Sequence, residues 1–381
     1  MRIALVCPYD WSVEGGVRTH ARQLSQRFRE WGHAVTVYAP ASDPEAADGE
    51  VMVMGTPHRV PALGSVARIT FSWLYRQVRA ELRKSQFDIV HLHEPLAPLL
   101  PYFFLRHSNA INIGTFHAAY EGRHMYGYTR PLTRRWFDKL HGRIAVSPAA
   151  RRLVSAYFPG EFTIIPNGID FEFWARPREP WPEFQDGKKN ILFVGRPEKR
   201  KGLDYLLRAY LMLRKRREDI RLIVAGAGDF SRYQEKLAGY DDIVFRPNVP
   251  YDELPRYHYT ADVMCCPNTG GESQGYVLME ALATGRAVVA SDIEGFAGVV
   301  TDGEHGVLVP PRSAARLAGA INELLDDEKR RRELGTRGRE RASEYSWETV
   351  AARVLEYYRQ VMSEPSVPEG GRQRLRQSVS Q

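Results

Sequence analysis

The sequence predicts an α/β fold made of two Rossmann-like domains, each with a parallel, doubly wound sheet. Short runs rich in β-branched residues alternate with helical periodicity, and this alternation restarts in the second half of the chain. A stretch rich in Pro and charge, without periodicity, separates the two series. A length of 381 residues also suits two domains of ordinary size better than one.

The first series defines a predicted N-terminal domain, 1–174. Its strands are expected in the runs "RIALVCPY", "HAVTVYAP", "FDIVHLHEP", "INIGTFHA", "GRIAVS" and "TIIPNG". Helical periodicity between these runs predicts helices over 17–31, about 72–84 and near 130–140. Such alternation is typical of a parallel sheet with helices on both faces.

The second series defines a predicted C-terminal domain, 190–346, after a linker at 175–189. Its strands are expected in "NILFVGRP", "IRLIVAGAGD", "DIVFRPNV", "ADVMCCPN", "RAVVAS" and "HGVLVP", with helices between them. A last helix, 347–362, can belong to either domain, and the polar tail, 363–381, is expected to be disordered. Doubly wound sheets bind ligands at the carboxyl ends of their strands, so we expect the chemistry in those loops, facing a cleft between the domains.

Composition indicates a soluble globular protein, with 43% hydrophobic and 26% charged residues. The three cysteines lie in apolar, strand-like runs, which favours a reduced compartment over a disulfide framework. No secretion signal and no apolar run of bilayer length is recognised, so a cytoplasmic protein is predicted. Fifteen Lys and Arg against five Asp and Glu between residues 51 and 160 predict attraction to an anionic surface.

A glycine pair follows the first predicted strand in "SVEGGVRTH". Gly15 and Gly16 allow the backbone to approach a ligand, and the helix start beyond them offers free N–H groups to an anion. The same pair can also be a simple turn. The motif lacks the three-glycine dinucleotide fingerprint, and no acidic residue ends the second strand, so NAD binding is not predicted.

A basic loop, "GRPEKRKG", follows the first strand of the second series. Its cations, Arg196, Lys199, Arg200 and Lys201, suit a diphosphate leaving group, although a solvated basic loop is the alternative. No Asp-x-Asp sequence occurs, which disfavours a metal-bridged diphosphate. No cofactor is predicted.

Two acids, Glu272 and Glu280, flank the start of a predicted helix in "GGESQGYVLMEALATG". A helix that starts near Gly275 presents the amides of Gly275, Tyr276 and Val277 to an anion, while the carboxylates beside them can bind hydroxyls. A sugar nucleotide carries both groups. The alternative is an ordinary capped helix in which Glu280 pairs with an arginine.

Histidines mark the ends of two strands in the first series. His117 in "TFHA" lies just beyond a strand, where it can be either functional or structural. His91 and His93 in "HLHEP" share a strand face, but no third ligand is evident, so no metal site is predicted.

Together these motifs resemble the retaining glycosyltransferases of the GT-B fold, family 4, up to about residue 362. The resemblance rests on Glu272 and Glu280 with seven residues between them, on "GRPEKRKG" and "PNGID", on the glycine pair and on His117. It implies a donor site for a nucleotide-diphosphate sugar, formed by the residues Gly15, Gly16, Arg196, Lys201, Glu272, Gly275, Tyr276, Val277 and Glu280. Of these, Arg196 and Lys201 would bind the diphosphate, Glu272 the sugar hydroxyls and Glu280 the ribose. Catalysis would involve His117, Arg196, Lys201 and Glu272.

Within that family the chain is similar to phosphatidylinositol mannosyltransferases, in "CPYD", "EGGVRTH", "GSVARITF", "HLHEPLAP" and "TFHA". This likeness implies a phospholipid acceptor bound by Tyr9, Arg18, Ser65, Arg68 and Arg200, with Arg68 at the lipid phosphate. It also implies a membrane-binding helix with the cations Arg76, Arg79, Arg83 and Lys84.

The apolar residues among those cations, Phe71, Trp73, Leu74, Val78 and Leu82, can lie on anionic lipid or pack into a core. Arg18, Leu96 and the run 61–63 depart from the likeness and leave the acceptor headgroup open. Tyr251 replaces a guanine-selecting carboxylate, which leaves open whether the donor nucleotide is GDP or UDP.

The predicted activity is therefore metal-independent, retaining transfer of a hexose, with mannose and GDP-mannose favoured, to a phospholipid such as phosphatidylinositol. The protein would act at the inner face of the cell membrane as a peripheral protein. A UDP-sugar transferase with another lipid or polysaccharide precursor, a sugar-nucleotide epimerase and a non-catalytic binding protein are the alternatives. Nucleic-acid binding is not predicted, because no aromatic platform or reading helix stands out.

Overall fold

Two compact α/β units make up the chain, which confirms the predicted fold class. The computed structural model describes residues 1–47, 49, 51–62, 65–119 and 125–364. Unit 1 comprises the chain up to Gly168 and the segment that begins at Trp347, and unit 2 comprises Ile169–Ser346. The predicted disordered tail, 363–381, lies outside the described residues from residue 365 onward.

Unit 1 is built on a seven-stranded parallel sheet of order β3-β2-β1-β6-β7-β8-β9, and β4 and β5 form a separate antiparallel hairpin. Its strands are β1 (Arg2–Val6), β2 (Ala34–Ala39), β3 (Val51–Val53), β4 (Pro57–Ala62), β5 (Ser65–Thr70), β6 (Ile89–His93), β7 (Ile111–Phe116), β8 (Gly142–Ala145) and β9 (Thr163–Ile164). Its helices are α1 (Gly16–Glu30), α2 (Tyr75–Ser85), α3 (Leu100–His107), α4 (Met125–Phe137), α5 (Pro148–Tyr157) and, after unit 2, α14 (Trp347–Ser363). A 3₁₀ helix spans Glu45–Ala47.

Unit 2 contains a six-stranded parallel sheet of order β12-β11-β10-β13-β14-β15. Its strands are β10 (Lys189–Val194), β11 (Ile220–Gly226), β12 (Ile243–Pro247), β13 (Val263–Cys266), β14 (Ala287–Ser291) and β15 (Val307–Val309). Its helices are α6 (Phe171–Ala175), α7 (Leu203–Arg214), α8 (Ser231–Lys236), α9 (Leu254–Thr260), α10 (Tyr276–Ala283), α11 (Glu294–Ala297), α12 (Ala314–Asp326) and α13 (Glu328–Ser343). Its 3₁₀ helices are Pro182–Phe184, Lys199–Lys201 and Tyr251–Glu253.

Both sheets reverse their strand order beside the first strand of the unit. In unit 1 this point lies between β1 and β6, and in unit 2 it lies between β10 and β13. Loops at such a point diverge to opposite sides of the sheet and leave a crevice at the carboxyl ends of the strands. The crevice of each unit is therefore where its functional residues are to be sought.

The last helix packs on the first helix of unit 1. The rings of Phe28 in α1 and Tyr358 in α14 lie 5.9 Å apart, and both side chains are fully buried. The Tyr358 hydroxyl also lies 2.6 Å from His91 Nδ1 on β6. The segment that follows unit 2 along the chain therefore completes the core of unit 1.

The structure contains elements that the sequence did not predict. Strand β3, the hairpin β4–β5 and the helices α3 and α5 were not predicted, and the expected linker contributes a buried side chain, Phe184, to unit 2. Helix α3 contains Pro101 close to its start, where the missing N–H group costs no helical hydrogen bond. The prolines in this apolar run therefore mark the start of a buried helix.

Candidate functional site

Charged side chains cluster at the carboxyl ends of β10 and β13 in unit 2. The Glu272 carboxylate binds both Lys201 Nζ and Arg200 Nη1, the latter at 2.5 Å. Asn268 Nδ2 donates a hydrogen bond of 2.9 Å to the same oxygen. The structure thus brings Lys201 and Glu272 together, although 71 residues separate them in sequence.

A second carboxylate, Glu198, pairs with two arginines of this loop. It accepts from Arg196 at 2.9 Å and from Arg200 at 2.8 Å. Sequence reasoning missed Glu198 and Asn268, because neither position is informative without knowledge of its partners. Half of the Arg196 side chain stays exposed, so its guanidinium remains accessible to an anion.

The two predicted acids have opposite electrostatic environments. Burial alone would raise the pKa of Glu272, but Lys201 and Arg200 outweigh it and hold that pKa below its usual value. Burial raises the pKa of Glu280 from 4.5 to about 8, opposed only in part by Lys201. Glu272 is therefore ionised at neutral pH, while most of Glu280 is protonated in the ligand-free protein.

Helix α10 begins at Tyr276, and Gly275 occupies its N-cap position with φ +78°. A Cβ atom at Gly275 would lie 2.3 Å from the Phe296 ring, so only glycine fits this turn. Gly275 has no side chain with which to cap the helix, and within the described residues Glu280 forms no ion pair with an arginine. The pairing of Glu280 with an arginine, one part of the alternative of an ordinary capped helix, is therefore not seen among these residues.

A close backbone approach places Lys201 beside β13. Gly202 has φ +74°, and a Cβ atom there would lie 1.8 Å from the Pro267 carbonyl oxygen. The 3₁₀ helix that carries Lys201 therefore packs directly on the loop after β13. The Arg200 carbonyl oxygen accepts a hydrogen bond of 2.8 Å from the main-chain N–H group of Thr269, which fixes this packing.

Histidines cluster at the carboxyl ends of β6 and β7 in unit 1. His117 Nε2 lies 3.1 Å from His93 Nδ1, and the rings of His20 and His117 lie 5.0 Å apart. His20 Nδ1 donates a hydrogen bond of 2.8 Å to Asn167 Oδ1. Among the described residues no group of His, Cys, Asp and Glu side chains is arranged to hold a metal ion.

Burial keeps these histidines neutral. It lowers the pKa of His20 to about 4 and of His91 to about 3, and it lowers the pKa of His93 and His117 well below 6.5. Neighbouring imidazoles act in the same direction on His93 and His117. A set of neutral rings can orient one another by hydrogen bonds without a charge of its own.

The glycine pair starts helix α1, with Gly15 at the N-cap position and Gly16 as first helical residue. Gly15 is extended, at φ −173°, and no side chain caps the helix. A Cβ atom at Gly15 would meet nothing within 4 Å. The Cα position of Gly15 therefore has space around it, and a role of this glycine pair in donor binding stays a prediction.

Most predicted acceptor residues lie in unit 1. Arg68 Nη1 lies 3.5 Å from Asp10 Oδ2, and the main chains of Tyr9 and Ile69 form an isolated antiparallel bridge. Arg18 forms an ion pair of 2.5 Å with Glu14. The side chain of Ser65, in β5, lies outside the described part of the structure, and Arg200 belongs to the cluster around Glu272 in unit 2.

The predicted membrane helix is only partly as expected. Its cations Arg76, Arg79, Arg83 and Lys84 are all exposed. Its apolar face is not, because Leu74 and Val78 are buried in the core of unit 1 and Leu82 packs against the same core. For these three residues the structure shows the second alternative, an apolar face packed into a core.

Two aromatic residues before the helix remain open to solvent. Phe71 is 52% exposed and Trp73 is 76% exposed. Trp73 packs edge-on against Phe103 of α3, with the ring centroids 5.1 Å apart. Among the described residues, no helix has the length and apolar character that a bilayer crossing requires.

Known proteins match both halves of the chain. Residues 14–173 match the family described as Glycosyltransferase Family 4, and residues 176–341 match Glycosyl transferases group 1. A phosphatidyl-myo-inositol mannosyltransferase of Mycolicibacterium smegmatis is 36% identical, over 95% of this chain and 94% of that protein. The protein of the same name from Mycobacterium leprae is 36% identical, over 96% of this chain and 98% of the relative.

Solved structures agree on the fold. A glycosyltransferase from Rickettsia africae has a TM-score of 0.77 over 95% of this chain and 99% of that chain, at 19% identity. Similarity at this level of identity identifies the GT-B fold alone, whereas the mycobacterial relatives share sequence over nearly their whole length. The chain therefore belongs to glycosyltransferase family 4 and is a glycosyltransferase.

Proposed function

We propose that this protein transfers a hexose, with mannose favoured, from a nucleotide-diphosphate sugar to a phospholipid such as phosphatidylinositol, with retained anomeric configuration. GDP-mannose is the favoured donor, and the inner face of the cell membrane is the proposed place of action. The relatives from Mycolicibacterium smegmatis and Mycobacterium leprae are named phosphatidyl-myo-inositol mannosyltransferases, which supports the sugar and the acceptor of this proposal. The charged cluster around Glu272 is the observation that carries the proposal.

This cluster has the charges that a diphosphate sugar needs. Three cations, Arg196, Arg200 and Lys201, meet two carboxylates, Glu198 and Glu272, so a positive excess remains. Anions bind favourably to such an excess where the site is partly desolvated. We propose that Lys201 and Arg196 bind the diphosphate, while Glu272 binds sugar hydroxyls.

The chemistry follows from charge development in the leaving group. As the bond from the anomeric carbon to the donor phosphate breaks, negative charge grows on the phosphate oxygen. Cations placed in advance stabilise that charge more in the transition state than in the bound donor. Family likeness implies front-face attack by the acceptor hydroxyl on an oxocarbenium-like centre, without a carboxylate nucleophile beneath it.

A screen of donors and acceptors tests this proposal. Purified protein would be incubated with GDP-mannose, GDP-glucose, UDP-glucose and UDP-N-acetylglucosamine, each with phosphatidylinositol vesicles, with phosphatidylcholine vesicles or with soluble inositol. We expect mannosylated phosphatidylinositol from GDP-mannose only. Turnover with UDP-sugars alone would contradict the proposed donor, and conversion of the donor without any acceptor would indicate an epimerase. Tyr251, the first residue of the 3₁₀ helix Tyr251–Glu253, stands where the family likeness implies a guanine-selecting carboxylate, and this makes the UDP arm necessary.

Membrane binding is expected to depend on the exposed cations of α2. Replacing Arg76, Arg79, Arg83 and Lys84 with alanine should weaken binding to phosphatidylserine-containing vesicles by at least about 10²-fold, since each surface cation contributes about 1 kcal/mol. Vesicle co-sedimentation at several salt concentrations measures this effect. Binding to neutral vesicles should stay unchanged, and the same number of exposed cations removed from unit 2 serves as the control.

A further inference from the structure

The end of β6 carries two consecutive buried residues that both bind His117. His93 is the last residue of the strand, and its ring nitrogen Nδ1 lies 3.1 Å from His117 Nε2. Glu94 follows it, and its carboxylate accepts a hydrogen bond of 2.7 Å from the main-chain N–H group of His117. The ring and the main chain of His117 are thus held by neighbouring residues of one strand end.

This convergence requires an unusual backbone at Glu94. Consecutive side chains of a strand point to opposite faces of the sheet, so two of them do not ordinarily reach one residue. Glu94 has φ +49°, a left-handed conformation that residues other than glycine rarely adopt. The chain turns at this point, and the second side chain is redirected toward His117. Such conformations persist where the surroundings enforce them, and they are found most often at functional sites.

The Glu94 carboxylate also ties β7 to α4. Its Oε1 atom accepts a second hydrogen bond of 2.8 Å from the main-chain N–H group of Ala118, and Oε2 accepts one of 2.9 Å from the Tyr126 hydroxyl. Burial raises the pKa of Glu94, and these three hydrogen bonds oppose that effect. A buried carboxylate with three directed donors holds the chain on both sides of the segment that leads from β7 to α4.

The imidazole of His117 is held from a second side by Asn167. The Asn167 side chain hydrogen-bonds the His117 ring, and it also accepts from His20 Nδ1 at 2.8 Å. His93 is fully buried, so a rotation of the His117 ring would leave a polar atom of His93 without its partner. The ring orientation is therefore set before any substrate binds.

We propose that His93 and Glu94 are positioning residues for sugar transfer, with His93 orienting the His117 imidazole and Glu94 fixing the main chain that carries it. The inference rests on the proposed function, together with the catalytic role of His117 that the family resemblance implies. Neither residue needs to touch a substrate. A displacement of about 1 Å at a catalytic group can cost about 10²-fold in rate, which sets the expected scale of the effect.

A double-mutant cycle with His117 tests the proposal. We expect Glu94→Ala and His93→Ala each to lower kcat by about 10²-fold, with the donor KM changed less than about threefold. Glu94→Gln should restore most of the rate, because its amide oxygen still accepts from the main-chain N–H groups. In a protein that already carries His117→Ala, Glu94→Ala and His93→Ala should lower kcat no further, since nothing remains to be positioned.

Asn112, near the start of β7, supplies the matched control. It is buried, and its Nδ2 atom donates a hydrogen bond of 3.3 Å to the Lys139 carbonyl oxygen, away from the histidine cluster. Any loss of kcat in Asn112→Ala should therefore be the same with His117 present or absent. Thermal unfolding of each variant shows whether the compared proteins are folded. If Glu94→Ala fails to fold, the kinetics of Glu94→Gln and His93→Ala still test the proposal.

The outcomes separate the two proposals. If Glu94→Ala and His93→Ala lower kcat equally with and without His117, they only support the fold and the inference is overturned. If His117→Ala has the parental kcat, the His117 imidazole does not contribute to catalysis and its position has no effect on the rate. This result also overturns the inference. If the unmodified protein transfers no sugar from any donor of the screen, the proposed function fails instead.

Discussion

Lys201→Ala should lower kcat by about 10³-fold while weakening donor binding by only about tenfold. The Lys201 ammonium lies beside Glu272 at the end of β10, where we place the departing diphosphate. Removing one preorganised charge from a developing anion costs on the order of 10² to 10³ in rate. The loss falls mainly on kcat because the charge on the leaving oxygen grows as the bond breaks.

The protein should remain folded in this variant. Arg200 and Asn268 continue to bind the Glu272 carboxylate, so this partly buried acid keeps two of its partners. Lys215→Ala, at the exposed C-terminal end of α7, is the control and should behave as the parent protein. Steady-state kinetics with GDP-mannose, together with donor binding by calorimetry, separates the two parameters. Near-parental kcat in Lys201→Ala would remove the leaving-group site from this loop.

Glu280→Gln should stabilise the ligand-free protein and weaken donor binding at the same time. The pKa of Glu280 is about 8 in the folded protein and about 4.5 when unfolded, because burial disfavours the carboxylate. Between these values the folded state keeps a proton that the unfolded state has lost, so the parent loses stability as pH rises from about 4.5 to about 8. Glutamine is neutral throughout. The difference in free energy of unfolding between Glu280→Gln and the parent protein should therefore increase in favour of the variant by about 2 to 4 kcal/mol from pH 5 to pH 8.

Donor affinity should show the complementary pH dependence. If ribose hydroxyls donate hydrogen bonds to the ionised Glu280 carboxylate, part of the free energy of donor binding is used to deprotonate Glu280. The donor dissociation constant of the parent protein should then fall as the pH rises toward about 8. The donor dissociation constant of Glu280→Gln should be larger by about 10-fold or more, and it should not change with pH. Thermal unfolding and calorimetry between pH 5 and pH 9 measure both effects. Glu235→Gln, on the exposed face of α8, controls for the charge change, and a stability gain that is the same at pH 5 and pH 8 would contradict the burial argument.

The parallel sheets were largely predictable from the sequence. Each predicted strand is present, because a strand covered on both faces is a short apolar run that stands out from its surroundings. The hairpin β4–β5 was missed, since its "PHRVPA" and "SVARIT" strands are neither apolar throughout nor clearly alternating. Prolines concealed helix α3, although Pro101 lies where a helix tolerates it.

The candidate site was predictable as a set of residues and not as a set of environments. Glu272 and Glu280 are the same residue type, yet one is ionised by Lys201 and Arg200 while the other is kept protonated by burial. Leu74 and Val78 fit a membrane face in sequence, and the structure buries them in the core. Local periodicity identifies an apolar face without identifying what covers it.

Strand pattern and motif spacing were therefore sufficient to predict the α/β class, the family and most residues of the proposed donor site. Those properties depend on short segments, and each segment carries its signal within a few residues. Only the folded structure shows three further properties of the protein. These are the charge state of each acid, the neutral histidine cluster and the hydrogen bonds by which His93 and Glu94 hold His117. These properties depend on burial and on partners up to 147 residues away along the chain, as in the hydrogen bond between His20 and Asn167.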